Sequence, residues 1–296
     1  MNDWLQLLRV SNAPTCVTNV LVGCAIGIAS LPPDFPGPFI DPGAVVLVLA
    51  SVFGFYFGGM ALNDVLDVER DRASGAPRPI ARGRIGRTPA AILSILLLSA
   101  GLVCAGLAAG MPGVLAGAGL LTCIVVYDCW HGSTWPAVVL MGLCRGLVYL
   151  LAALTVTTAL DATLDLTLLL VLGGGLMLHT AIVTGIARTE RTEAAPASWA
   201  LPLLPLAPCG ALFLLGSVEL WATAVFGIVL ALWLGRIVSL LRSTPPRVIP
   251  AVLAGLSGIA LLDAFYLAML GWAVLSLLCV ACFALTALAH RSIAGT

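Results

Sequence analysis

Apolar residues run in blocks of about 20 along the whole chain, separated by short polar breaks. One helical crossing of a bilayer takes about 20 apolar residues, so the blocks predict transmembrane helices at 13 to 31, 43 to 66, 90 to 109, 112 to 127, 135 to 157, 166 to 188, 199 to 216, 220 to 238, 248 to 268 and 271 to 290. The alternating apolar and polar positions of barrel strands are absent. A backbone in lipid must then satisfy its hydrogen bonds within each helix. The stretch 199 to 216 is interrupted by Pro202, Pro205 and Pro208, and 247 to 290 is too long for one crossing, which makes it a helical hairpin. The expected fold class is an all-α polytopic membrane protein, a bundle of nine to ten helices forming a single domain over 1–296. No internal repeat is visible, so the duplicated architecture of many secondary transporters gains no support.

Composition agrees with that reading. Of the 296 residues, 60% are hydrophobic and 9% charged, with a mean hydropathy of +1.10; soluble domains carry about 25% charge. The formal net charge is zero, which gives no reason to expect a nucleic-acid partner. All 14 basic residues are Arg, which excludes a lysine Schiff base and a Walker-type phosphate loop. The nine Cys are scattered through apolar blocks, and the single C-x-x-C, Cys279 and Cys282, reads as helix packing. The first twelve residues carry Asp3 and Arg9 and lack the short apolar core and cleavage site of a removable signal peptide.

The Arg positions set an orientation. Arg9, the six Arg between 70 and 87, Arg188, Arg191, Arg236, Arg242, Arg247 and Arg291 all fall on one side of the ten spans, while the opposite connections hold Asp34, Asp41, Asp161, Asp165 and Glu219 and no Arg. By the positive-inside rule the Arg side is cytoplasmic, and Arg291 after the last span favours ten crossings. The expected location is a bacterial plasma membrane. Arg145 alone lies at membrane depth, where it needs a polar cavity or a carboxylate.

Chemistry concentrates where the second span meets the cytoplasm, at Asn63, Asp64, Asp67 and Asp71. At roughly 100° per residue these four share one face of a helix within about 100°. Three like charges there require neutralisation. Hard oxygen ligands beside an amide suit Mg2+, which takes one or two carboxylates, waters and substrate phosphates. A solvated helix end is the plain alternative, yet ionisable groups at membrane depth are usually functional. The next loop brings Arg72, Arg78, Arg82 and Arg84, guanidiniums that can hold phosphate oxygens or simply mark the cytoplasmic side.

The run Asn63 to Asp71 resembles the N-D-x-x-D-x-x-x-D motif of the UbiA superfamily of intramembrane prenyltransferases, and Arg78 to Ile85 resembles that family's R-P-[LI]-x-x-G-x-[IV] loop. Tyr127, Asp128 and Cys144-Arg145-Gly146 match further family positions. The resemblance covers most of the chain and implies a helical bundle around a lipid-open cavity, with Mg2+ holding an isoprenyl diphosphate at the cytoplasmic end. It implies metal ligands in Asp64, Asp67, Asp71 and Glu190, diphosphate contacts in Asn63, Arg78, Arg82, Arg145 and Arg188, and catalytic roles for Tyr127 and Asp128 alongside the three Asp. Two positions depart from the family: His131 stands near a usual Lys, and the segment His179 to Glu190 holds no Asp where a second Asp-rich motif belongs. In these features the chain is similar to the EboC-type branch. There Arg188 would supply the charge of a second ion. His179, alone on an apolar helix, reads as a packed hydrogen-bonding residue, and Asp263 in the ninth span has no evident partner and is unassigned.

Three functions are compatible with these residues. The leading one is transfer of a prenyl group from an isoprenyl diphosphate to an unknown acceptor; the others are a non-catalytic carrier of lipid diphosphates or exported metabolites and a proton-relay transporter. Cysteines engineered at positions 38 and 162 are expected to react with membrane-impermeant reagents from outside. Reaction only from the cytoplasm would invert the orientation.

Overall fold

The computed structural model describes residues 3–33, 35, 41–129, 135–189 and 198–291. Its helices are α1 (Asp3–Leu7), α2 (Ala13–Ala29), α3 (Pro42–Leu66), α4 (Val68–Ser74), α5 (Arg87–Cys129), α6 (Trp135–Ala159), α7 (Leu166–Thr189), α8 (Leu206–Leu215), α9 (Leu220–Arg242), α10 (Val248–Met269) and α11 (Ala273–Ala289). The described residues form no strand. Seven helices are long and apolar enough to cross a membrane, and the protein is an all-α polytopic membrane protein.

Local sequence sets several boundaries. Pro42 occupies the first turn of α3, where a missing N–H costs nothing, and the Asp41 carboxylate before it accepts from the Gly43 N–H at 2.9 Å. Helix α5 is two helices in one: Gly110 adopts φ 59°, ψ −144° beside Ala109 at φ −137°, ψ 20°, a backbone that Gly reaches without a Cβ penalty. The chain turns back there. Gly117 consequently lies against Ala105 and Leu102 of the same helix, which a straight helix would hold about 18 Å apart. The two expected spans at 90 to 109 and 112 to 127 are the arms of this hairpin.

The proline-rich span differs from expectation. Residues Ser198–Ala200 form a 3-10 turn and only Leu206–Leu215 is α-helical, a length of about 15 Å against a core of about 30 Å. The segment still passes through the bundle. Trp199 packs on Trp135, ring centroids 6.0 Å apart, near the carboxylate end, while the Val218 N–H reaches the Met269 carbonyl at the other end, 2.9 Å away. Among the described residues, the two arms of α5, α2, α3, α6, α7, this broken segment, α9, α10 and α11 are ten passes along the bundle, and Leu206–Leu215 and Ala273–Ala289 are shorter than the seven helices of membrane-crossing length. His290 at the end of α11 meets Asn12 at 2.6 Å, closing the ring of helices.

Packing divides the bundle into two apolar groups, one of α2, α3, α5 and α6, the other centred on α10 with α7, α9 and α11. Helix α10 is the most enclosed crossing, 72% buried over its apolar window. Small residues allow close approach, because helix association in lipid relies on packing and interhelical hydrogen bonds. A Cβ on Gly54 of α3 would stand 2.7 Å from the Leu97 carbonyl oxygen of α5. Beside it, Ser51 Oγ donates to the Gly101 carbonyl at 2.7 Å and Ser94 Oγ to the Gly58 carbonyl at 2.8 Å. Gly54→Leu should therefore destabilise the protein by about 1–3 kcal/mol, whereas Gly119→Ala, with nothing near its Cβ, should not destabilise it. Thermal unfolding midpoints in detergent read the contrast, and equal midpoints would deny the close contact.

Candidate functional site

The N-D-x-x-D-x-x-x-D run does not form one continuous helix. Helix α3 ends at Leu66, Asp67 takes φ −85°, ψ 2°, and α4 begins at Val68. The break is slight, since the Asp67 N–H still reaches the Asn63 carbonyl and the Asp71 N–H the Asp67 carbonyl, each at 2.9 Å, and each carboxylate meets an Arg. Asp64 is 2% exposed, and its Oδ1 lies 3.2 Å from Arg9 and 3.9 Å from Arg78. Asp71, 8% exposed, is 4.0 Å from Arg78 Nε, so one guanidinium spans both acids. Asp67 pairs with Arg70 at 3.2 Å.

Arg9 is the component that sequence reading took only as a marker of topology. It donates to Asn63 Oδ1 at 3.3 Å as well as to Asp64, and it sits at φ 47°, ψ 47°, a left-handed conformation uncommon for a residue with a Cβ. The surroundings hold it there. Tyr56 donates its hydroxyl to the Arg9 carbonyl at 3.0 Å. Asp3 of α1 receives Arg84 at 2.7 Å and Gln6 donates to the Pro77 carbonyl at 3.1 Å, which ties α1 to the Arg-rich loop. Under them Leu7, Ala61, Val65, Val68, Ile80 and Ile85 form a separate apolar cluster. The isoleucines of R-P-I-A-R-G-R-I are thus anchors, and only its Arg78 reaches the acids. Arg82 is exposed and forms no ion pair among the described residues.

Asp128, at the end of α5, is 5% exposed and receives Asn63 Nδ2 at 3.0 Å. It lies within electrostatic reach of Asp64, Asp67 and Arg9, and neighbouring Tyr127 feels both Arg9 and Arg188. The structure therefore brings together Asn63, Asp64, Asp67, Asp71, Arg78, Tyr127, Asp128 and Arg188. Glu190 and His131 lie outside the described residues. Arg145 sits elsewhere: its NH1 donates to Asn19 Oδ1 at 2.8 Å, and its guanidinium is 5.8 Å from the Tyr56 ring centroid. Tyr56 precedes Asp64 by eight residues, two turns of α3 on the side of the bundle interior. Asp263, without an evident partner in the sequence, is fully buried and accepts from Thr18, Asn19 and Tyr149. His179 is a packed residue, 1% exposed, with Nε2 3.1 Å from the Gly255 carbonyl.

Among the described residues three carboxylate oxygens are buried without a hydrogen-bond partner, Glu219 Oε2 at the opposite end of the bundle and, in this cluster of Arg residues, Asp64 Oδ2 and Asp128 Oδ2. Leaving such atoms unsatisfied is costly. Among the described residues no three His, Cys, Asp or Glu converge as a ready-made metal cage. The donor set fits a hard cation held by one or two carboxylates and completed by water and phosphate oxygens, with Asp64 and Asp128 as the ligands whose free oxygens such an ion would engage. The Arg residues around them would receive an anion.

Comparison with known proteins is consistent with this geometry. The UbiA prenyltransferase family model matches residues 20–194. The chain is 32% identical over 98 residues to the digeranylgeranylglyceryl phosphate synthase of Thermococcus onnurineus (strain NA1), covering 33% of this chain and 34% of that one. It is 30% identical over 125 residues to the synthase of the same name from Sulfolobus acidocaldarius, 42% and 41% of the two chains. It thus spans from 30% to 54% of the length of the curated relatives it matches. Among solved structures, the apo UbiA homologue from Aeropyrum pernix K1 superposes with a TM-score of 0.66 at 16% identity, over 87% of this chain and 96% of that one. A UbiA homologue from Archaeoglobus fulgidus bound to GPP and Mg2+ gives 0.58 at 19% identity, over 90% and 99%. At these identities the structures speak for the fold. With a family match over more than half its length, this chain belongs to the UbiA prenyltransferase family.

Proposed function

We propose that the chain is a membrane prenyltransferase that moves an isoprenyl group from its diphosphate to a nucleophilic acceptor, the whole of 1–296 acting as one membrane domain. The observation that carries this reading is the pair of buried oxygens on Asp64 and Asp128, unpartnered among the described residues, beside Arg9 and Arg78. Acids that leave one oxygen free, among cations that can turn to an anion, suit a metal diphosphate better than a purely structural ion-pair network. The names of the relatives and the GPP and Mg2+ on the Archaeoglobus neighbour support the same choice. The one-sided Arg distribution supports placing this end at the cytoplasm.

In the transfer step the allylic carbon–oxygen bond breaks heterolytically and its electron pair leaves on the diphosphate. Positive charge at the leaving oxygens is what that cleavage needs. Arg9, Arg78 and Arg188 would provide it around the phosphates, with Arg82 at the entrance and Arg145 approaching from deeper in the bundle. Magnesium, when bound by Asp64, Asp128, Asp67 and Asp71, with Glu190 following Arg188 in sequence, supplies further charge to the same oxygens. Asn63 orients Asp128 through its amide. The apolar helices exclude water while the allylic cation lasts. The acceptor's nucleophilic atom then bonds to the cation and gives up its proton to the released diphosphate or to the Asp128 carboxylate, while the Tyr127 hydroxyl, a donor, orients the diphosphate.

The test is prenyl transfer by the purified protein from radiolabelled isoprenyl diphosphates of several chain lengths, with Mg2+ or EDTA, to extracted lipids. Asp64→Asn and Asp128→Asn should each lower the rate on the order of 100-fold or more, and EDTA should stop it. Mg2+-dependent binding of diphosphate without any transfer would instead favour a carrier. Transfer unaffected by both substitutions would remove the acids from the reaction.

A further inference from the structure

Deeper than the carboxylate end lies a second polar assembly on α2, α6 and α10. Asp263 in α10 has no exposed surface and accepts hydrogen bonds from Thr18 Oγ1, the Tyr149 hydroxyl and Asn19 Nδ2, the last at 2.8 Å. The other end of the same amide, Asn19 Oδ1, accepts from Arg145 NH1 at 2.8 Å. Carboxylate and guanidinium thus stand at opposite ends of one amide. An ionised carboxylate only accepts and a guanidinium only donates, so the Asn19 amide between them has one satisfying orientation, its NH2 toward Asp263 and its oxygen toward Arg145.

This directionality ties two charges on different helices. A guanidinium at membrane depth needs a countercharge or a polar cavity, and Asp263 supplies the charge without meeting Arg145 directly. A direct bidentate pair would consume a whole face of the guanidinium. Through the amide only NH1 is engaged, with Cys16 Sγ 3.8 Å from the same nitrogen. Arg145 is only partly buried, and its Nε and NH2 have no hydrogen-bond partner among the described residues. Tyr56 backs the guanidinium from the side of Arg9.

We propose that Asp263 is a positioning residue for Arg145, acting through the Asn19 amide, so that the unengaged edge of the guanidinium is presented to the polar part of a bound substrate. The substrate contact rests on the transferase reading; the relay from Asp263 to Arg145 does not. Asp263→Asn replaces a group with acceptors only by an amide with a single oxygen, which cannot receive Thr18, Tyr149 and Asn19 together. Asn19 then loses the partner that fixed its orientation, and Arg145 its anchor. Asn19→Leu cuts the same relay while leaving Asp263 its other two donors.

The experiment is a double-mutant cycle on prenyl transfer, with unfolding midpoints measured in parallel. Asp263→Asn and Asn19→Leu should each lower kcat about 10- to 100-fold, as Arg145→Gln does, and adding Asp263→Asn to Arg145→Gln should cause no further loss. Losses that multiply in the double variant would overturn the proposal, because a purely structural Asp263 acts independently of Arg145. If Asp263→Asn does not fold, the cycle of Asn19→Leu with Arg145→Gln decides by the same criterion. A readout independent of turnover is 15N NMR of arginine-labelled protein in detergent, with the Arg145 signals assigned by their loss in Arg145→Gln. Hindered rotation of the Arg145 guanidinium in the wild type and its release in Asp263→Asn supports the relay even if the wild type transfers no prenyl group, a result that would defeat the transferase reading alone. Unchanged signals in both relay variants would overturn the relay.

Discussion

A charge enclosed by a bundle of apolar helices must have a partner, and the Arg9–Asp64 pair is where this requirement organises the molecule. Removing one member of a buried pair typically costs about 3–5 kcal/mol, because the survivor is left uncompensated. Satisfying Asp64 from Arg9 draws α1 over the end of α3. The Arg-rich loop then closes on α1 through Arg84 and Pro77, and its isoleucines fill the space beneath. The same constraint explains the left-handed backbone at Arg9, held by the Tyr56 hydroxyl.

Pairing is incomplete at this end, and the incompleteness is where function enters. Asp64 satisfies one oxygen on Arg9 and Arg78, and Asp128 one on Asn63, while the second oxygen of each is buried without a partner among the described residues. At Asp263 the accounting is different. Three donors converge on that carboxylate and Asn19 carries its influence to Arg145. One end of the bundle keeps unspent acceptor capacity and the middle keeps unspent donor capacity, with Tyr56 and Arg9 connecting the two levels.

The sequence made the helices and the acids legible because both are local signals. Block lengths gave the spans, and the break at 110 and 111 gave the turn between the arms of α5, where Gly110 supplies the backbone. The motif located Asn63, Asp64, Asp67 and Asp71. What it could not reveal is pairing across long separations. Arg9 and Asp64 lie 55 residues apart, and Thr18 and Asp263 lie 245 apart, so Arg9 read as a topology marker and Asp263 as a residue without partners. A hint was available for Asp263, an acid inside a span that a lipid-facing helix would not tolerate, whereas Arg9, before the first span, offered none. The one-residue helix interruption at Asp67 was equally illegible in the motif, although the turn hydrogen bonds continue across it. Likewise the prolines marked 199 to 216 as irregular without showing that its first part would not be α-helical.

The central claim is that the free oxygens of Asp64 and Asp128 face one site for a cation and a diphosphate. Its most direct test is a crystal structure of the protein with an isoprenyl thiodiphosphate and Mn2+ in place of Mg2+, using anomalous scattering to locate the ion. The account predicts Mn2+ at about 2.1–2.2 Å from Asp64 or Asp128, bridged to diphosphate oxygens that also meet Arg9 or Arg78. An ion and diphosphate bound away from both acids, with Asp64 still closed on Arg9 and Arg78, would contradict it.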